Sequence, residues 1–73
     1  MTLWFKNSMG IERQIAYCEN NADVFSSIHE FIKQANEGRA HPFVSYYTRS
    51  WTEGDRTWYD VGSHTEFFFT TPK

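Results

Sequence analysis

Four consecutive residues near the C-terminus, Ser63-His64-Thr65-Glu66, hold the side-chain types that most readily do chemistry. Ser63 beside His64 has the makings of a nucleophile and its base. Sequence neighbours rarely take up the in-line geometry that proton transfer needs, however, and no segment supplies an oxyanion hole. His64 and Glu66 alternate, so on a strand both side chains fall on one face and could share a metal. Two ligands do not complete a site, and the third would have to come from His41 or Asp60. The simpler role for His64 is to close a turn by hydrogen bonding, with Ser63 satisfying neighbouring backbone groups. His29 falls on the polar side of a helical pattern, and His41 precedes Pro42 in a connector, so both read as solvated residues. There is no glycine-rich phosphate loop and no cysteine pair. The expectation is a protein with no catalytic residue, no metal and no cofactor; the sequence names no biochemical activity.

What the chain holds in surplus is aromatic surface: seven Phe, four Tyr and three Trp, 19% of 73 residues. That is more ring area than one small core absorbs, so part of it is expected at an interface, where aromatics bring contact area at low entropic cost. The formal net charge of −2 and a pI near 5.8 count against nonspecific nucleic-acid binding, which needs a basic stripe. They fall equally short of the dense acidity of a nucleic-acid mimic. Cys18 is the lone cysteine, so no intrachain disulfide can reinforce the fold. A single thiol suits a reducing compartment and a buried position. The opening MTLWFKNSMG lacks the apolar run of a signal peptide, and no stretch reaches membrane-spanning length, which together point to the cytoplasm. Length allows one domain, residues 1–73.

The pattern that must position these side chains reads β-β-α-β-β-β. TLWFK is a strand, NSMG a turn with Asn7 and Gly10 suited to positive φ, and IERQIAYC a second strand whose alternation puts Ile11, Ile15 and Tyr17 on one face. Val24, Phe25, Ile28, Phe31, Ile32 and Ala35 then recur at helical spacing. Asn20 or Asn21 can cap that helix, Asp23 suits its first turn, and Gly38 stops it. RAHP connects to a hairpin, FVSYYTRSW–TEGD–RTWYDVG, and TEFFFT is the last strand. The expected fold class is α+β: a single antiparallel sheet with one amphipathic helix packed on one face.

A turn at Gly54-Asp55 sets the hairpin register. It places Glu53 opposite Arg56, Thr52 opposite Thr57, Trp51 opposite Trp58 and Arg49 opposite Asp60, so both charged pairs are of opposite sign. One face then carries Tyr47, Arg49, Trp51, Trp58 and Asp60; the other carries Tyr46, Thr48, Ser50, Thr57, Tyr59 and Val61. A single helix covers only one of them. Burying the first would desolvate the Arg49–Asp60 pair, so the second is the expected core face. The competing arrangement makes Trp51 and Trp58 the core. With a turn at Ser63-His64, Phe67 and Phe69 join the tryptophan face while Phe68 points to the helix. The expected partner-binding platform is therefore Tyr47, Arg49, Trp51, Trp58, Asp60, Phe67 and Phe69, rich in the Trp, Tyr and Arg of interface hot spots. Three consecutive phenylalanines need apolar company on both sides, and a second subunit or target is one way to supply it. A homodimer paired through the C-terminal strand follows if that strand is an edge.

The final third, SYYTRSW…TWYDVGSHTEFFF, resembles small uncharacterised proteins encoded by phages and prophages of Gram-positive bacteria. In these an R-x-W strand leads through a polar turn to D-x-G-S-H-T-E-F-F. The matching residues here are Arg49, Trp51, Asp60, Gly62, Ser63, His64, Thr65, Glu66, Phe67 and Phe68. The resemblance covers roughly the last 30 residues. It implies a phage-type gene expressed in a bacterial cytoplasm and carries no mechanism. The functional expectation is a non-enzymatic binding protein that docks on a host or phage protein and modulates it, in host takeover or against defence. Stacking of single-stranded bases on aromatics interleaved with Lys6, Arg49 and Arg56 is the alternative. The nearby Glu53, Asp55 and Asp60 oppose it.

Overall fold

The computed structural model describes residues 1–37, 49–61 and 65–72. Strands β1 (Thr2–Lys6), β2 (Glu12–Tyr17), β3 (Arg49–Glu53), β4 (Arg56–Asp60) and β5 (Phe67–Thr71) form one sheet, with helix α1 (Asn21–Asn36) between β2 and β3 in the chain. The strand order is β2-β1-β5-β4-β3, and every neighbouring pair is antiparallel. This is the expected α+β class. Among the described residues no helix is long and apolar enough to cross a membrane.

Local chemistry accounts for the turns and the helix start. Asn7 Oδ1 accepts from the backbone N–H groups of Met9 (2.9 Å) and Ile11 (3.0 Å), and Gly10 supplies a φ of +84° that a side chain would resist. Gly54 does the same in the β3–β4 turn at φ +61°, and the register there is the one charge pairing predicts, from Glu53↔Arg56 to Arg49↔Asp60. Asn20 caps α1: its Oδ1 accepts from Asp23 N–H at 2.9 Å, while Asp23 Oδ2 accepts from Glu19 N–H at 3.1 Å.

The helix lies on the face carrying Leu3, Phe5, Tyr59, Val61 and Phe68, and buries Val24, Ile28 and Ile32 against it. Each such aliphatic side chain contributes ~1.5–3 kcal/mol on leaving water. Phe31 packs edge-on to Phe68 and Phe5 tilts against both, so three rings from three elements make the centre of this core. Cys18 is fully buried beside it.

Two expectations are corrected. The face proposed for β2 does not exist: the register slips between Leu3 and Trp4, pairing Leu3 with Ala16 but Trp4 with Gln14, so Ile15 is an inserted residue. The bulge breaks the alternation; Ile15 packs against the helix-side core while Ile11 (58%) and Tyr17 (69%) stay exposed. The last strand is not an edge. β5 is hydrogen-bonded to β1 on one side and β4 on the other, which leaves no open backbone through which a second copy could pair. The connector at residues 39–42 and the first part of the third strand, including Tyr46 and Tyr47, lie outside the described residues.

Candidate docking face

The helix occupies one side of the sheet, and the other side carries a row of rings in cross-strand register. Trp4 on β1 pairs with Phe69 on β5, Phe69 with Trp58 on β4, and Trp58 with Trp51 on β3. Neighbouring centroids are 5.9, 4.7 and 6.4 Å apart, so ring contact runs unbroken over four strands. Phe67 adds a fifth ring, edge-on to both Trp51 and Trp58 at 6.1 and 6.4 Å.

Cations lie over these rings. Arg56 is 4.5 Å from the Phe69 centroid, Arg49 is 5.1 Å from Trp51, and Lys6 Nζ is 5.5 Å from Trp58. Several of the contacts join strands that are not neighbours. Lys6 on β1 reaches over β5 to Trp58, and Arg56 on β4 donates to Glu12 Oε2 on β2 at 3.1 Å. Side chains so placed meet only over a cupped surface.

That geometry divides the face. Toward β1, it is closed: Phe69 is only 1% exposed, with Trp4 and Trp58 packed beside it and the Arg56–Glu12 pair strapped over it. The Trp4 indole N–H is satisfied by Thr71 Oγ1 at 3.1 Å. Phe69 is therefore not exposed for contact, and its expected place in the partner-binding platform is corrected. The apolar company it needs comes from the chain's own tryptophans. Toward β3, the face is open. Trp51 and Phe67 are half-buried, and the Arg49 side chain is 70% exposed. Arg49 uses only its Nε toward Asp60 Oδ2, at 3.3 Å, while the Asp60 carboxylate sits lower, at 19%. Glu53 takes the Trp51 indole N–H at 3.4 Å.

Of the residues expected in the platform, Arg49, Trp51, Trp58, Asp60 and Phe67 share this face, Phe69 lies beneath it, and Tyr47 lies outside the described residues. Trp4 and Glu12 belong to it and were not anticipated. Trp4 was legible only as one side of the first strand, because its partner is 65 residues away in sequence. Ser63, His64 and His41 also lie outside the described residues. Asp60, the described candidate for a third metal ligand, is engaged by Arg49. Among the described residues no three His, Cys, Asp or Glu side chains converge. No protein-family model, curated protein or solved structure matches the chain.

Proposed function

We propose that this chain is a non-enzymatic binding protein that docks on another protein through the open, β3-side half of its helix-free face and modulates it. The observation that carries this reading is the half-buried Trp51–Phe67 pair, rimmed by the exposed Arg49 and left without any covering element among the described residues. Trp and Arg at the margin of a rigid sheet contribute large contact area with little entropy to lose, which is the composition of an interface hot spot. Trp51, Arg49 and Phe67 are the anchors, and Trp58 and Asp60 hold them in place. The C-terminal resemblance favours a phage or its bacterial host as the source of the partner, and the single buried thiol of Cys18 suits the reducing cytoplasm of such a host.

A second reading, single-stranded nucleic-acid binding, draws on the three cations lying over rings. It is the weaker one because those cations already occupy the ring surfaces that bases would stack on, and Arg49 and Arg56 are neutralised by Asp60 and Glu12. The test is affinity capture from a Gram-positive bacterial lysate with tagged protein, with and without nuclease, using Trp51→Ala as the control bait. A protein retained after nuclease and lost with Trp51→Ala is the expected result. Retention that disappears with nuclease would overturn it in favour of nucleic acid.

A further inference from the structure

The sheet ends in two different edges. β2 carries the inserted Ile15, and a bulge of this kind twists an edge strand away from further pairing. β3 has no bulge: its five residues pair one-to-one with β4, and no strand lies on its outer side among the described residues. Ser50 and Thr52, on the helix side of β3, are exposed, so the helix does not shield this strand. A regular, open edge invites pairing, and its side chains decide with what.

On β3 the order of the charges supplies the answer. Arg49 and Glu53 stand at its two ends on the helix-free face, with Trp51 midway between them. Arg49 lies 5.1 Å from the Trp51 ring centroid, and Glu53 accepts the indole N–H at 3.4 Å. Arg-x-Trp-x-Glu is complementary to its own reverse. An antiparallel copy centred on Trp51 sets Arg49 opposite Glu53 at both ends, Ser50 opposite Thr52 and Trp51 opposite itself. A slip of two residues loses both charge pairs. Glu53 is open to this role: Arg56, which faces it in the hairpin, reaches to Glu12 at 3.1 Å instead, and Glu53 has no ion pair among the described residues. Arg49 is 70% exposed, so its guanidinium can bridge Asp60 and a second carboxylate.

We propose that two copies of this chain associate through β3, antiparallel about a two-fold axis at Trp51, and join their sheets into one. The contact is isologous, each Arg49 meeting the Glu53 of the other copy. It is independent of the docking reading, because it uses the outer edge of β3 and leaves Trp51 and Phe67 uncovered. Both helices fall on one side, and the two helix-free faces continue into each other across the axis.

Sedimentation equilibrium of the intact chain tests it. At about 0.2 mM the mass should approach twice the 8.7 kDa of one chain, as suits so small a contact. Arg49→Glu alone and Glu53→Arg alone each set like charges across the axis and should weaken association about tenfold or more. An equimolar mixture of these two variants should regain wild-type association, because both cross pairs are again opposite in sign. Loss of the Arg49–Asp60 contact could unfold Arg49→Glu, which circular dichroism would show. Trp51→Cys then takes its place: lying on the axis, it should cross-link to its own copy under mild oxidation, whereas Thr57→Cys on β4 should not, and the buried Cys18 does not compete. A wild type that stays monomeric, single variants that dimerise like wild type, a mixture that stays apart, or no preference for the Trp51 position in cross-linking would each overturn the proposal.

Discussion

The two faces of the sheet solve the same problem with different means. On the helix-covered side, Phe68, Leu3 and Phe5 are shielded by an amphipathic helix whose apolar stripe was built for them. On the helix-free side, Phe69 is shielded just as completely, but by two tryptophans from neighbouring strands and an Arg–Glu pair that spans the cup. The first solution relies on one regular element. The second relies on long side chains reaching inward, and their reach gives out before β3, where Trp51, Phe67 and Arg49 remain accessible. The contrast teaches that a chain of 73 residues with surplus aromatics can make a second, shallower core without a second layer of secondary structure. What lies beyond the edge of that core is the surface proposed for docking.

The comparison breaks most visibly through the two adjacent phenylalanines. Phe68→Ala and Phe69→Ala should each cost about 3–5 kcal/mol in equilibrium urea denaturation, a large part of the stability of a domain this size. Equal costs mean two cores. A Phe69→Ala cost below ~1 kcal/mol would reduce the helix-free side to decorated surface. Smaller and confined to the helix side is Asn20→Ala, which removes the acceptor for Asp23 N–H. It should cost ~1 kcal/mol and accelerate amide exchange in the first turn of α1, leaving exchange in β4 and β5 unchanged. Gly54→Ala should cost a similar ~1 kcal/mol, because the left-handed φ of the β3–β4 turn disfavours a Cβ even though nothing within 4 Å would clash with one. Smallest is Arg56→Gln. Loss of a partly exposed ion pair is worth ~0.2–1 kcal/mol, and that loss should shrink at high salt, where the wild-type pair is already screened. A salt-independent loss would mean that Arg56 acts by covering Phe69 and that its charge is incidental.

Much of this was legible in the sequence where the signal is local. A turn at Gly54-Asp55 sets the hairpin register, opposite charges at Glu53/Arg56 and Arg49/Asp60 support it, and the cost of desolvating Arg49–Asp60 points to the face turned from the helix. Helical spacing and an asparagine cap located α1. What failed was long-range. A homodimer paired through Phe67-Phe68-Phe69 requires an edge strand, yet continuous apolarity on both sides is the mark of a central strand, and β5 lies between β1 and β4. Because that pairing joins residues from the two ends of the chain, no local pattern announced that Trp4 would meet Phe69. The bulge at Ile15 was likewise silent, since a single inserted residue leaves the period-two signal intact on either side of it and only changes its phase.

The central claim is that the helix-free face is structural toward β1 and free for recognition toward β3. Urea denaturation of Trp51→Ala beside Phe69→Ala tests it most directly. The account predicts that Trp51→Ala unfolds within ~1 kcal/mol of the wild type while Phe69→Ala loses at least ~3 kcal/mol. A Trp51→Ala loss as large as that of Phe69→Ala would contradict it, because the tryptophan would then belong to the core and could not be spared for a partner.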